Sequence, residues 1–338
     1  MASTVTALVE KMLAGDRRAL SRLLTSLERE PSAIASIMAS VHAKTGQAYV
    51  VGVTGPPGAG KSTVVDSLAT ALRAIDQTVG VVAVDPTSTF TGGAVLGDRI
   101  RMAEHHADRG VFVRSLSTRG AHGGLSRVAR ASVRLLDAFG LGYVFLESVG
   151  VGQTELDVVK ASDSVLVVLV PEAGDSVQVM KAGLMEIGDI YVINKADREG
   201  AHRLAAAVKS EVRAKARKGT WTPPVLMTEA RSAEGIPDLV AAIERHKAYL
   251  LKSTELAERR SNCRRAELVD AMRGVVEAAM ADLDLECLLG DLADRVAGGQ
   301  IDPYSAAAQA LSADSVSLGF SEAVRRVTAG DRGPCRDD

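Results

Sequence analysis

The sequence predicts an α/β fold built on a doubly wound, mostly parallel sheet, with a helical N-terminal extension and a helical C-terminal arm. Two observations lead to this prediction. Short apolar runs rich in β-branched residues alternate with helical patterns through the middle of the chain, as in consecutive strand and helix units. The runs are also nearly continuous in apolar residues, which is typical of parallel strands that helices cover on both faces. In chain order, the runs occupy residues 49–53, 79–84, 111–113, 143–146, 165–170, 190–193 and 224–227.

These patterns divide the chain into three predicted parts. Residues 1–45 carry leucines at helical spacing and form the N-terminal extension. Residues 46–250 contain every predicted strand and form the α/β domain. Residues 251–338 continue an apolar stripe without a strand pattern, so we expect a helical arm that ends in a frayed tail. Within the arm, the pair Asp302-Pro303 is typical of a helix start.

Composition and charge exclude several classes of protein. The 338 residues are 46% hydrophobic and 24% charged, which is ordinary for a globular chain. A net charge of -2 gives no basic field, so we expect no nucleic-acid partner and no attachment to an anionic membrane. The longest strongly apolar stretch, residues 165–170, is far shorter than the roughly 20 residues that span a bilayer. Three scattered cysteines and no recognisable export signal favour a cytoplasmic location.

Residues 55–62, GPPGAGKS, follow the first strand directly and begin an apolar helical pattern, which is the context of a P-loop. Glycines there let backbone N–H groups converge on phosphates, Lys61 neutralises phosphate charge, and the Ser62 hydroxyl is a ligand for Mg²⁺. A plain glycine-rich turn would not require Lys61 and Ser62 together. The expected nucleotide contacts are Gly55, Pro56, Pro57, Gly58, Ala59, Gly60, Lys61, Ser62 and Thr63.

A second motif, Asn194-Lys195-Ala196-Asp197, follows the strand at 190–193. The Asp197 carboxylate can accept hydrogen bonds from N1–H and the exocyclic amine of guanine, whereas adenine presents no matching pair of donors. Taken alone, the tetrapeptide also fits an ordinary turn in which Asp197 caps a helix. Because the motif shares one sheet edge with the P-loop, we assign Asn194, Lys195 and Asp197 to a guanine site and expect GTP in preference to ATP.

Acidic residues at two further strand ends are candidate catalytic and metal-binding groups. Glu147 ends the strand at 143–146, and we assign it to Mg²⁺ through a water molecule. Asp85 ends the strand at 79–84, and the long polar connection that follows contains Asp98. We assign Asp85 and Asp98 to the metal and its water ligands; the structural alternatives are a helix cap or a turn acid for these two and a buried acid for Glu147.

The loop after Glu147 is a candidate switch that senses the γ-phosphate. Gly150 is expected to donate its backbone N–H to that phosphate. The next residue is Val151, so the glutamine that positions the attacking water in Ras-like GTPases is missing at this point. We therefore expect slow intrinsic hydrolysis, with either Gln153 or a partner protein supplying the missing function.

Together these motifs resemble the MeaB/ArgK family of G-protein chaperones. The resemblance implies a SIMIBI-like P-loop GTPase with GTP, GDP and Mg²⁺ as ligands. It also implies a homodimer, formed through the C-terminal arm, that gates cofactor loading into an adenosylcobalamin-dependent acyl-CoA mutase, such as methylmalonyl-CoA mutase, and protects it. A further switch is implied at residues 174–181, with Gln178 and Lys181 communicating with the partner. The segments that carry the resemblance are residues 55–62, 84–102, 147–155, 172–190, 194–197 and 301–307.

Among the departures from the family pattern, two concern contacts with the nucleotide or the partner. Glu229-Ala230 stands where a Ser-Ala or Ser-Gly pair usually lies beside the guanine, so Glu229 and Ala230 are expected at the base and the longer acidic side chain is expected to crowd or repel it. Phe90 stands where a basic residue is common, which removes a phosphate or partner contact. The departures bear more on the partner than on GTP binding.

Three other functions fit parts of the sequence. A metal-insertion GTPase would need a relay rich in cysteine and histidine, but the cysteines are scattered and the only adjacent histidines are His105-His106. A small-molecule kinase linked to basic amino acid transport would need an acceptor pocket with a base, and it would leave Asp197 unexplained. A binding module without hydrolysis differs from a GTPase by releasing no phosphate.

Overall fold

A computed structural model describes residues 2–30, 33–85, 105, 107–117, 127–148, 158, 160–171, 183–217, 219–283 and 289–329. It contains a seven-stranded sheet in the order β3-β2-β4-β1-β5-β6-β7, in which every neighbouring pair is parallel. Each predicted apolar run overlaps one strand, so the prediction of the fold class is confirmed. The strands are β1 (Tyr49–Thr54), β2 (Val79–Asp85), β3 (Val111–Ser117), β4 (Tyr143–Glu147), β5 (Ser164–Leu169), β6 (Ile190–Asn194) and β7 (Val225–Thr228).

The chain winds outward from the central strand β1 in both directions. After β1 it builds one side of the sheet through β2, β3 and β4, and then crosses over to build the other side from β5 to β7. In such sheets, ligands bind beyond the carboxyl ends of the strands, where the winding direction changes. This topology places the ends of β1, β4 and β6 at the expected site.

The N-terminal helices cover one face of the sheet. Leu20, Leu24 and Leu27 are fully buried there in a core shared with Leu136 and Leu146. The Asp16 carboxylate accepts hydrogen bonds from two backbone N–H groups and so begins the second helix. The helices on this face are α1 (Ala2–Leu13), α2 (Arg17–Arg29), α3 (Ala33–Val41) and α5 (Arg127–Ala138).

The opposite face is covered by the P-loop helix and by the helix after the last strand. Val64 and Leu68 of the former pack in one core with Leu239 and Ile243 of the latter. A third core, around Tyr191 and Val208, lies where β5 and β6 meet two further helices. The helices are α4 (Lys61–Arg73), α6 (Leu184–Ile187), α7 (Ala201–Lys215) and α8 (Ile236–Lys252).

Residues Met1–Arg264 form one compact unit and residues Arg265–Asp338 a second. The C-terminal region is helical, as predicted, and Asp302 caps a helix whose first residue is Pro303. At the end of that region Arg326 pairs with Asp282 at 2.9 Å. Within the described residues, no helix combines the length and the apolar character needed to cross a bilayer. The helices are α9 (Glu255–Ala281), α10 (Asp291–Ala297), α11 (Pro303–Leu311) and α12 (Asp314–Ala329).

At the amino ends of the strands, two consecutive arginines of α9 hold two buried aspartates. Arg259 binds the Asp189 carboxylate through two hydrogen bonds of 2.8 Å, and Arg260 binds Asp163 in the same bidentate way. The Asp189 carboxylate also accepts the backbone N–H of Val165. Both aspartates immediately precede strands, so the ion pairs fix the start of α9 against this edge of the sheet.

A fully buried histidine lies beside these pairs. His246 Nδ1 is 2.5 Å from the Ser164 hydroxyl, which is itself 2.5 Å from the Tyr49 hydroxyl. Removal from water lowers the pKa of His246, Asp189 opposes this shift, and the Arg259 charge adds to it. The ring packs against Trp221 at 4.7 Å between centroids. The ring also contacts the first ion pair, because His246 Nε2 lies 3.5 Å from Asp189 Oδ1.

Candidate active site

A cavity of about 560 Å³ opens at the carboxyl edge of the sheet. It is formed by the P-loop and its helix, the end of β4, the loop after β6 and the loop after β7. The lining carries both basic and acidic side chains, a combination that suits a ligand with charged phosphates and a polar base. The lining residues are Gly58, Gly60, Lys61, Ser62, Thr63, Asp66, Glu147, Asn194, Lys195, Asp197, Arg198, Glu229, Ala230 and Arg231.

The P-loop has a backbone path that requires glycine at two points. Gly55 has φ +141°, and a Cβ there would lie 2.0 Å from the Val168 carbonyl oxygen of the neighbouring strand. Gly60 has φ +83° and precedes α4, and its Cβ would lie 2.5 Å from Asn194 Nδ2. Side chains at these positions would displace the loop from β5 and from the guanine motif.

Lys61 is the first residue of α4 and is only 7% exposed. Its ammonium donates to the carbonyl oxygens of Gly55 at 3.0 Å and Pro56 at 3.3 Å. The loop's own carbonyls therefore hold a positive charge beside a helix N-terminus, where the helix dipole adds to it. This arrangement suits a nucleotide phosphate.

The Ser62 hydroxyl donates to Glu147 Oε1 at 2.6 Å, and both side chains are buried. A hydroxyl and a carboxylate side by side at a phosphate site form an oxygen donor set of the kind that Mg²⁺ prefers. The structure thus brings together two of the residues assigned to the metal. Their chemistry fits the ion that the family resemblance implies.

The Asn194 side chain links three loops. Its Nδ2 donates to the Ala59 carbonyl oxygen of the P-loop at 2.9 Å, and its Oδ1 accepts from the Thr228 hydroxyl and the Ala230 N–H at 3.2 Å each. Lys195 turns the chain with φ +57°, and Asp197 follows with an exposed side chain on the cavity wall. The guanine motif and the P-loop therefore meet at one cavity.

The loop after β7 brings Glu229 and Ala230 to the same cavity. The backbone N–H of Glu229 donates to the Glu234 carbonyl oxygen at 3.1 Å, so the loop is closed by a short antiparallel bridge. The Glu229 side chain is half-buried. The departure from the family pattern thus lies on the cavity wall.

Several assigned residues lie wholly or partly outside the described part of the chain. The backbone of Asp85 ends β2 at the correct edge, but its side chain is not among those described. The catalytic, metal-binding and switch assignments of Asp98, Gly150, Gln153, Gln178 and Lys181, together with the departure at Phe90, lie outside the described residues. These assignments stay predictions.

Some residues around the cavity were not anticipated from sequence. Asp66, Arg198 and Arg231 line it, and Ser67 and Thr228 hold its loops. Asp66 and Ser67 lie one helical turn after the P-loop motif, and that spacing was the available signal. Thr228 is the last residue of β7, where a polar side chain at a strand end could have been considered.

His105 lies against the P-loop helix, with its Nε2 3.1 Å from Asp66 Oδ1. His106 lies outside the described residues. Among the residues whose placement is given, no cluster of three histidine, cysteine, aspartate or glutamate side chains could hold a metal ion.

The chain is similar in sequence to known proteins. The sequence profile of the family described as methylmalonyl-CoA mutase-associated GTPase MeaB matches residues 20–283. A relative from Pyrococcus horikoshii that carries a GTPase name is 45% identical over 308 residues, covering 89% of this chain and 95% of the relative. The mouse protein named methylmalonic aciduria type A homolog, mitochondrial, is 36% identical over 216 residues, covering 63% of this chain and 52% of the relative.

The fold is also similar to that of a solved structure. The crystal structure of a LAO/AO transport system kinase matches with a TM-score of 0.66 at 26% identity, covering 91% of this chain and 96% of that one. The profile spans most of the chain, and the P-loop and guanine motifs meet at one cavity. The chain therefore belongs to the MeaB family and is a GTPase that binds guanine nucleotides.

Proposed function

We propose that this GTPase is the chaperone of an adenosylcobalamin-dependent acyl-CoA mutase, either methylmalonyl-CoA mutase or a relative. The observation that carries the proposal is the match of residues 20–283 to a family described by its association with methylmalonyl-CoA mutase. The name of the mouse relative points to the metabolism of the same acid. In this role, GTP hydrolysis gates cofactor loading and protects or reactivates the mutase.

The described residues suggest how the chain handles its substrate. Lys61 and the backbone N–H groups of residues 58–63 bind the β- and γ-phosphates and offset the charge that develops during transfer. Asn194 and Asp197 bind and orient the base at the other end of the cavity. Glu147 and Ser62 would hold Mg²⁺, which would neutralise part of the phosphate charge when bound.

The remaining assignments complete the proposed mechanism. Asp85 and Asp98 join the metal site, Gly150 contacts the γ-phosphate, and Gln153 orients the attacking water. Gln178 and Lys181 transmit the nucleotide state to the mutase. Because Val151 follows the switch glycine, hydrolysis is slow until the partner reshapes these loops.

Phosphate release tests the proposal directly. Release is measured from GTP and separately from ATP, with Mg²⁺, in the presence and absence of a purified adenosylcobalamin-dependent acyl-CoA mutase. We expect slow turnover of GTP alone that rises when the mutase is added, and no turnover by a Lys61→Ala control. GTP turnover that no such mutase changes would contradict the chaperone role and leave the GTPase activity standing.

The kinase name of the solved relative defines the second arm of this experiment. A small-molecule kinase would transfer the γ-phosphate to a basic amino acid instead of to water. Arginine, lysine and ornithine are therefore added in turn, and a phosphorylated product is sought by mass spectrometry. We expect inorganic phosphate only, because Asp197 and Asn194 form a guanine site typical of a switch GTPase.

We also propose that the chain acts as a cytoplasmic homodimer formed through its C-terminal helices. An apolar stripe on α9 stays exposed: Leu268, Val269, Met272, Val276 and Met280. Single monomers seldom expose a contiguous apolar patch of this kind, and a second copy would cover it.

Mutation of the stripe tests the dimer. Met272→Asp combined with Val276→Asp should convert the dimer to a monomer in sedimentation equilibrium. Ala278→Asp, at an exposed position of α9 outside the stripe, is the matched control and should remain dimeric. A wild-type chain that sediments as a monomer would rule the dimer out.

A further inference from the structure

Ala230, in the loop after β7, is held from two sides. Its backbone N–H donates to Asn194 Oδ1 at 3.2 Å, and its carbonyl oxygen accepts from the Ser67 hydroxyl at 2.6 Å. Ala230 is 5% exposed and lies on the cavity wall. One residue of the loop is thus fixed both by the guanine motif and by the P-loop helix.

The contact from Ser67 is additional to what its helix requires. A serine inside a helix commonly satisfies its hydroxyl on the carbonyl four residues earlier, and Ser67 Oγ does lie 3.0 Å from the Thr63 carbonyl oxygen. The shorter contact reaches a loop 163 positions away in the sequence. Ser67 is half-buried behind the cavity wall, so it acts on a ligand only through the loop.

The loop lies where the base would bind. Glu229, Ala230 and Arg231 form one wall of the cavity, and Asp197 lies on the wall formed by the preceding loop. If the loop after β7 moves, the space left for the base widens while the P-loop stays in place, because Lys61 and Ser62 are held by other partners. Ordering that wall in advance reduces the entropy lost when the base binds.

We propose that Ser67 is a positioning residue for guanine recognition. Its hydroxyl fixes the Ala230 loop against the P-loop helix and so sets the width of the base pocket. The inference rests on the proposed nucleotide site and assigns a role to a residue outside the P-loop and guanine motifs. The inference predicts different effects on the two parts of the nucleotide. Loss of the Ser67 hydroxyl weakens binding of the base and leaves binding of the phosphates unchanged.

The test compares two probes, GDP and inorganic pyrophosphate, by calorimetry on the full chain. Ser67→Ala should weaken GDP binding about 3- to 10-fold, the range for one hydrogen bond of ordinary strength, and leave pyrophosphate binding within about twofold. In steady-state hydrolysis the KM for GTP should rise by the same factor while kcat stays constant. Ser67→Thr, which keeps the hydroxyl, should bind GDP like the wild type.

Ser132→Ala is the matched control. This serine lies inside α5, and its hydroxyl donates to the Val128 carbonyl oxygen within the helix at 2.7 Å, so its loss should leave GDP affinity unchanged. The inference is overturned if Ser67→Ala binds GDP normally, if GDP and pyrophosphate weaken equally, or if Ser67→Thr binds GDP as weakly as Ser67→Ala.

The variant Asp197→Asn separates a failure of the role of Ser67 from a failure of the base site. If Asp197→Asn weakens GDP binding and Ser67→Ala does not, only the role of Ser67 fails; if neither variant changes GDP affinity, the base site itself is misassigned.

Discussion

The two edges of the sheet use charged residues in opposite ways. At the carboxyl edge, Lys61 and Glu147 line an open cavity together with other charged side chains. At the amino edge, Asp189 and Asp163 are each matched with an arginine of α9. The first edge places its charges on the wall of a cavity, whereas the second pairs its charges with each other inside the fold.

The difference follows from what each edge must do. Removing two charges from water costs several kcal/mol per ion, so an internal pair is stable only when the geometry is good and the remaining hydrogen bonds are made. The amino edge meets this condition, since both pairs are bidentate and both aspartates also accept a backbone N–H, from Val165 and Val50. A cavity that must exchange nucleotide has to stay hydrated.

The largest expected effect is on stability, at the amino edge. Asp189→Ala removes the carboxylate that Arg259 and the Val165 N–H bind, although Arg259 keeps the Asp163 carbonyl oxygen as an acceptor. Breaking a fully buried pair costs about 3–5 kcal/mol, and because the Arg259 side chain is 34% exposed the cost here should lie near the lower end of that range. We expect a loss of this size in urea unfolding, whereas GDP affinity of the folded protein stays unchanged. Asp189→Asn keeps the shape and should lose less. A wild-type unfolding free energy for Asp189→Ala would show that the pair contributes little.

The next largest effect is on binding, at the carboxyl edge. Lys61→Ala removes the cation assigned to the phosphates, and a hydrogen bond to a charged group is worth up to about 3 kcal/mol, or roughly 100-fold in affinity. We expect GDP and GTP to bind at least this much more weakly in calorimetry, while the unfolding free energy changes by less than about 1 kcal/mol. If Lys61→Ala lowered the unfolding free energy and left nucleotide affinity unchanged, the carboxyl edge would serve stability and the contrast between the two edges would be wrong.

A smaller effect is expected from Asp197→Asn. The amide can no longer accept both guanine donors, so GDP affinity should fall about 10-fold or more, while the affinity for inorganic pyrophosphate is unchanged. Xanthosine diphosphate, which has a carbonyl in place of the exocyclic amine, should bind the variant better than the wild type. Fluorescent nucleotide displacement measures all three ligands, and equal GDP affinity in both proteins would remove Asp197 from the site.

The location of the motifs and the sheet itself could be predicted from sequence, because both depend on short runs of consecutive residues. The glycines and Lys61 of the P-loop, and Asn194 of the guanine motif, could be placed at one edge because strand ends of a parallel sheet meet there. The seven apolar runs predicted the sheet because buried parallel strands are apolar on both faces.

The contacts that join distant segments could not be predicted from local pattern. Arg259 and Asp189 are 70 positions apart, and each alone looks like a solvated charge. Helix α9 continues past Arg264, where the first compact unit ends, so its own sequence pattern does not show that Arg259 and Arg260 belong to that unit. The Ser67 contact with Ala230 is likewise visible only when α4 and the loop after β7 are placed side by side.

The smallest expected effect concerns the pH dependence of the amino edge. Burial lowers the pKa of His246 below the value of about 6.5 that it has in the unfolded chain, so the unfolded state binds the proton more readily. The stability that comes from the neutral ring is therefore present above about pH 6.5 and is lost as the pH falls toward the lowered folded value, at no more than about 1.4 kcal/mol per pH unit. Asp189 and Glu255 oppose the shift and Arg259 adds to it, so the net effect is expected to be modest.

The measurement is urea unfolding at pH 7.5 and at pH 5.5. The free energy of unfolding should fall more for the wild type than for His246→Gln, which removes the titrating ring while the carboxylates remain. Equal losses in the two proteins would mean that the proton reaches His246 without cost, and that the amino edge is more hydrated than its packing around Trp221 indicates.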